Sequence, residues 1–313
     1  MADANEARRN AVRSTFTVGR IAADAAEIID DREIAAVAIA TPVGTHYDLT
    51  RRALLAGKHV LIEKPMCAAA AEAEELVTLA ARQGLVLMVD HTFLFTGAVQ
   101  RIAELVHGGE LGRICYYDSM RVNLGLFQPD VNVLWDLAPH DLSIIDYLVD
   151  AEPTQIEVSG YCHVNQHLPD VAYVTLHYGS TMVAHLNLSW MSPVKVRRIA
   201  IGGTDKMVVW DDLNHEEKVK IYNSGIHVQP EDQREVIIPA YRIGDIYSPR
   251  VANREALTAV IEHFALVIDG RAASIMSGER GLRVVRILEA SQKILDESLE
   301  RNRAVVQAGG RSR

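Results

Sequence analysis

Apolar residues follow two rhythms along this chain, and the change comes near residue 92. Before it, residues 34–40 (IAAVAIA), 58–62 (KHVLI) and 85–89 (LVLMV) are short, nearly unbroken apolar runs, as expected of parallel strands covered on both faces. Residues 45–56, which stop at Gly57, and the alanine-rich stretch 68–83 lie between them with helical spacing, and Gly84 is placed as a C-terminal cap. That order predicts a βαβαβ unit, an open parallel sheet that binds ligands beyond the carboxyl ends of its strands.

After residue 92 a helix at 96–107, a strand at 114–121 and a helix at 135–149 lead into strand signals. Residues 172–178 and 182–190 flank Gly179-Ser180, and Met182, Ala184, Leu186, Leu188 and Trp190 alternate with more polar neighbours. This predicts a hairpin in a mainly antiparallel sheet with one buried face. Further strands are expected at 194–201, 207–210 and 219–222, then helices at 254–268 and 278–299. The fold class is α/β plus α+β. A Rossmann-type domain spans residues 1–92, a substrate-binding and oligomerisation domain 93–300, and a tail 301–313 that frays from Gly309. Two domains imply a cleft between them.

Length agrees with two domains, because 313 residues exceed one ordinary core. With 49% hydrophobic and 23% charged residues the chain is globular, and no run approaches the ~18 apolar residues of a membrane span. The N-terminus lacks the apolar stretch of a signal peptide, so the expected location is the cytoplasm. Cys67, Cys115 and Cys162 have no CxxC spacing, which speaks against a disulfide framework or a thiolate zinc site. A net charge of −9, with only the short basic cluster Lys195, Arg197 and Arg198, makes nucleic acid an unfavourable partner.

Three segments carry candidate chemistry. Glu63-Lys64-Pro65 follows a buried strand, where a doubly wound sheet offers side chains to a ligand, although the tripeptide alone also reads as a solvated turn. In Trp135-Asp136-Leu137-Ala138-Pro139-His140-Asp141, proline is tolerated only in a first helical turn, so the helix should begin close to Asp136. Asp136 would cap it and, one turn before His140, orient the imidazole as a general base. Taken alone, the segment reads equally well as a cap followed by a partly buried histidine. Asp141 and Asp146 read as surface charges. Ala40-Thr41-Pro42-Val43-Gly44-Thr45-His46 joins a strand end to a helix N-terminus that favours an anion such as a pyrophosphate, or is an ordinary turn capped by Thr45. His163, His167 and Asp170 are a remote metal candidate in strand and loop context, where such spacing does not bring ligands together, so no metal is expected. No GxSxG or GxxxxGK[ST] occurs.

Ala40-Thr41-Pro42 with His46, Gly57-Lys58-His59-Val60 leading to Glu63-Lys64-Pro65, and the Asp136-to-His140 spacing together resemble the glucose–fructose oxidoreductase, inositol dehydrogenase and rhizopine-catabolism (Gfo/Idh/MocA) family. The resemblance runs from about Asp3 to about Leu299. It implies NAD or NADP as cofactor and hydride transfer to or from a secondary alcohol of a sugar or nucleotide-linked sugar. It further implies Lys64, Asp136 and His140 as the catalytic group, with His140 the base, Asp136 its orienter and Lys64 the electrostatic partner or proton relay. The cofactor would meet Asp3, Ala40, Thr41, Pro42, His46, Glu63, Lys64 and Pro65. The substrate would meet Lys64, Arg121, Asn123, Asp136 and His140. The second half, with Arg121, Asn123 and the run Asp130–Asp141, is most similar to members acting on nucleotide-linked sugars, and a homo-oligomer, dimer or tetramer, is expected through the open sheet face.

One departure is plain. The family begins with a strand and a glycine-rich turn, yet no GxGxxG occurs here, and Asp3-Ala-Asn-Glu resembles the stretch just after the family's second strand, where an acidic residue contacts the cofactor ribose. Met1 then falls roughly 30 residues late, about one strand–helix–strand unit. A misplaced start is the favoured explanation, and weak cofactor binding by the sequence as it stands is expected. The alternative is a catalytically silent relative that binds a sugar or a protein.

Overall fold

A computed structural model describes residues 1–125, 127, 131–227 and 240–309. Asp130 and the tail beyond Gly309 lie outside the described residues. The chain divides into two compact units, residues 1–91 with 260–285, and residues 92–259 with 286–313.

In the first unit α1 (Glu6–Thr15) and α2 (Ala26–Ile29) precede an alternating series: β1 (Ala36–Ile39), α3 (His46–Leu55), β2 (His59–Glu63), α4 (Ala70–Gln83) and β3 (Leu87–Asp90). The strands form a parallel sheet in the order β1-β2-β3. Gly84 ends α4 at φ 64°, a left-handed cap as the sequence predicts. Strands β2 and β3 are covered, with Val60, Ile62, Met88 and Val89 fully buried. The expectation that 34–40 is covered on both faces is corrected. Among the described residues β1 is an edge strand, and Ala38 on it is exposed. Residues 260–285 close this unit: the Val89 N–H donates to the Met276 carbonyl at 3.0 Å. Gly281 lies so near Val89 that an added Cβ would stand 2.4 Å from its Cγ2.

The second unit opens with α5 (Gly97–His107), β4 (Ile114–Leu124) and α6 (Val133–Val149). Then follow β5 (Gln155–Tyr161), β6 (Val171–Tyr178), β7 (Met182–Ser189), β8 (Met191–Gly203), β9 (Met207–Asp211), β10 (Val219–Tyr222), β11 (Gly225–His227), β12 (Ala240–Arg242) and β13 (Ile246–Tyr247). Helices α7 (Ala256–Ile268) and α8 (Gly278–Gly309) end the described chain, α8 running well past the expected 299. Eight strands form one sheet in the order β13-β10-β9-β8-β4-β7-β6-β5, antiparallel throughout except where β4 meets β7. The alternation read from residues 182–190 is realised: Met182, Ala184, Leu186 and Leu188 are buried while Val183 is exposed. Helix α6 packs on the buried face. The other face carries Tyr116, Met120, Tyr173 and Val183, all exposed. No helix among the described residues is long and apolar enough to cross a membrane.

Candidate functional site

At the carboxyl end of β1, Ala40, Thr41 and Pro42 are exposed and lead through a 3-10 turn into α3. Thr45 does not cap α3 with its side chain; its hydroxyl donates to the Pro42 carbonyl at 2.8 Å. His46 is buried, with Nδ1 3.0 Å from the Pro65 carbonyl and Nε2 2.8 Å from that of Thr41. The structure thus gives His46 a supporting position, tying the loop after β1 to the loop after β2. Asp3 lies at the entry to α1, where its carboxylate accepts from the Asn5 N–H at 2.8 Å.

Beyond β2, Glu63 and Lys64 are half-buried and Pro65 is buried behind a cis Lys64–Pro65 bond. The Lys64 N–H donates to the Glu63 carboxylate at 3.0 Å. Burial and then the charge of Asp90, its register partner on β3, hold the Glu63 carboxyl above the usual range. The next residue after Asp90 is His91, 2% exposed, with both ring nitrogens buried and without a hydrogen-bond partner among the described residues. Burial, and secondarily the charge of Lys64, push its pKa down to about 3, so the ring is neutral. Nothing in the sequence marks His91, which follows β3 without a motif of its own and meets the Lys64 segment only when β2 and β3 pair. With both nitrogens enclosed, the neutral ring belongs to the interior beneath these strand ends.

In the second unit the helix start is corrected. Helix α6 begins at Val133, and its cap is Asn132, whose side chain accepts from the Leu134 and Trp135 N–H groups at 3.0 and 3.2 Å. Asp136 is therefore inside the first turn, with its N–H bonded to the Asn132 carbonyl and its carboxylate accepting from Trp190 Nε1 at 3.1 Å. Pro139 sits inside the helix, past the first turn where proline was expected. His140 follows, one turn after Asp136, and its carbonyl accepts from the Ser143 hydroxyl at 2.8 Å.

Asp141 and Asp146 are not surface charges: they are 0% and 5% exposed. Asp141 accepts a bidentate pair from Arg121, Nε at 2.9 Å and Nη2 at 3.0 Å, which is how a carboxylate survives under a sheet. Burial opposes the Arg121 charge, but Asp141 outweighs it and the guanidinium pKa is raised. Arg121, assigned to the substrate by resemblance, is thus a buried partner of α6, while Asn123 two residues on is half-buried. Phe93 receives the Arg121 guanidinium over its ring at 4.7 Å and that of Arg197 at 4.9 Å. The remote metal candidate resolves into a loop anchor. Buried Asp170 accepts from His163 Nδ1 at 2.7 Å and from the backbone N–H groups of His163 and Val164. His167 takes no part in it: its N–H goes to Asn165.

Residues 1–91 match the oxidoreductase family with an NAD-binding Rossmann fold, Gfo/Idh/MocA, and residues 99–209 match the Gfo/Idh/MocA C-terminal domain. The UDP-N-acetylglucosamine 3-dehydrogenase of Acidithiobacillus ferrooxidans is 32% identical over 257 residues, covering 81% of this chain and 76% of that protein. Its solved structure superposes with a TM-score of 0.80 over 95% of this chain and 89% of the other, at 27% identity. The NADP(+)-dependent scyllo-inositol 2-dehydrogenase of Bacillus subtilis is 25% identical over 318 residues, covering 91% of this chain and 84% of its own.

Proposed function

The chain belongs to the Gfo/Idh/MocA family of NAD(P)-dependent oxidoreductases, and from that premise we propose that it moves a hydride between the cofactor and a secondary alcohol of a sugar or nucleotide-linked sugar. The two named relatives act on a nucleotide-linked sugar and on an inositol, both of them polyhydroxylated rings. What supports the reading is the placement on α6 of His140 one turn after Asp136, in a chain that also carries Lys64 just past the carboxyl end of a parallel strand.

NAD or NADP, when bound, accepts or supplies the hydride. The exposed Ala40-Thr41-Pro42 loop, braced by His46, and the Glu63-Lys64-Pro65 turn would hold it. His140 takes the hydroxyl proton at an imidazole nitrogen as the carbonyl forms. Asp136 keeps that ring oriented and stabilises its protonated form. The Lys64 ammonium stabilises charge developing on the alcohol oxygen. Asn123 would meet the substrate, and Arg121 would act through the shape it gives α6. Mixing the protein with NAD+ or NADP+ and a panel of sugars, inositols and UDP-sugars, and following reduced nicotinamide, tests the assignment. Turnover of none of them, in a protein shown to bind the cofactor, would refute it.

Two finer readings go with it. The protein is cytoplasmic. It is a homo-oligomer, dimer or tetramer, joined through the sheet face that carries Tyr116, Met120, Tyr173 and Val183, four exposed large apolar side chains on adjoining strands.

A further inference from the structure

We propose that Phe93 is a positioning residue for His140, one that fixes the imidazole by packing against it. The proposal rests on the reading above that His140 handles the substrate proton. Phe93 belongs to a 3-10 turn (Thr92–Phe95), and its carbonyl is fixed by Thr96, whose hydroxyl donates to it at 2.8 Å. The ring is half-buried, so it is not core filling alone. It meets the His140 ring edge-on, with centroids 4.9 Å apart and planes at 76°. That is the geometry aromatic rings prefer when their quadrupoles set the orientation.

What holds Phe93 is as specific as what it holds. Arg121 and Arg197 are register partners on β4 and β8, so their side chains leave the same face of the sheet side by side. Each is locked by its own carboxylate, Arg121 by Asp141 and Arg197 by Asp212 at 2.7 Å. Both guanidiniums lie over the Phe93 ring at under 5 Å from its centroid. Among the described residues Arg121 Nη1 is buried and without a hydrogen bond, and the guanidinium carbon stands over the Phe93 π face.

Asp141 is the chain neighbour of His140, which closes the circuit. Asp141 grips Arg121, Arg121 covers Phe93, Phe93 packs on His140, and His140 is bonded to Asp141 through the backbone. The imidazole is thereby fixed at its root by α6 and at its ring by Phe93. Proton transfer falls steeply when a base is displaced by a fraction of an ångström, so a group that sets the imidazole rotamer acts on kcat without touching substrate.

The test uses Phe93→Met, which keeps an apolar side chain and removes the ring, and Phe93→Tyr, which restores it, with His140→Gln measured in parallel. The expected result is a kcat about tenfold lower in Phe93→Met with KM within about twofold, and a Phe93→Tyr kcat within about twofold of the parent. A Phe93→Met kcat within about twofold of the parent, alongside an inactive His140→Gln, overturns the positioning role and leaves the base assignment standing. Full turnover in His140→Gln overturns both. Should the variants not fold, histidine-labelled unmodified protein decides the matter by NMR. The proposal requires nuclear Overhauser contacts from the His140 ring to Phe93 with one set of imidazole signals, and rotamer-averaged signals lacking those contacts overturn it.

Discussion

Replacing Asp141 by asparagine removes the anion from a buried guanidinium. The change keeps volume, so no cavity term enters and the cost is electrostatic. Arg121 is 5% exposed and Asp141 0%, and the pair is bidentate at 2.9 and 3.0 Å. Removing one partner of a buried pair costs about 3–5 kcal/mol, because the remaining charge stays desolvated. For a domain of this size, with a urea m value of roughly 2–3 kcal/mol/M, the unfolding midpoint should fall by on the order of 1–2 M. Tryptophan fluorescence reports this cleanly, since the chain's 3 tryptophans, Trp135, Trp190 and Trp210, all lie in the second unit. The paired replacement Arg121→Met with Asp141→Leu should recover most of the loss, as apolar side chains have no desolvation penalty to offset. A midpoint shift in Asp141→Asn below about 0.3 M, equivalent to under ~1 kcal/mol, would refute the picture of an isolated buried pair.

Lys64→Ala and His140→Ala should each lower turnover by at least about a hundredfold with little change in melting temperature, read by steady-state kinetics and thermal unfolding; near-normal turnover in either removes that residue from the mechanism. His91, with a folded pKa of about 3 against 6.5 for an ordinary histidine, binds its proton in the unfolded chain first. Its contribution to stability is thus complete above about pH 6.5 and is lost as pH falls toward 3, at up to about 1.4 kcal/mol per pH unit. His91→Gln should flatten that slope in urea titrations between these pH values, and an unchanged slope would contradict the neutral ring. Met120→Arg combined with Tyr173→Glu should convert an oligomer to monomer in sedimentation equilibrium, and a monomeric parent at micromolar concentration rules out the shared sheet face.

How far the sequence was legible depended on whether a feature was local. Residues 70–83 carry their helix and its stop, because Gly84 is the one residue type that enters the left-handed region without strain. Residues 182–189 carry their own burial pattern through alternation. Strand β5 escaped because its inward position 160 is a glycine, where a Cβ would stand 2.7 Å from Leu295 Cδ1, so the third apolar mark of the pattern is missing. Helix α1 has no buried residue and hence no stripe to find. The start of α6 is set by the Asn132 side chain, which caps the helix, while Pro139 lies inside it rather than marking its first turn. The candidate site divides the same way. Lys64, Asp136 and His140 stand out through motif order, whereas Phe93, Arg121, Asp141 and Arg197 become one cluster only when β4, β8 and α6 are stacked.

Strand β3 of the first unit is bonded to residue 276, which the ribosome delivers nearly two hundred residues later. At roughly 5–20 residues per second, β3 waits on the order of 10–40 s for that partner while the whole eight-stranded sheet is made in between. The central strand of that sheet, β4, waits in turn for β7 and β8. Neither unit can therefore close during synthesis of the N-terminal half. Newborn chains carry unpaired strand edges for most of their time on the ribosome, and protection from aggregation during that interval becomes a condition for yield of the folded protein.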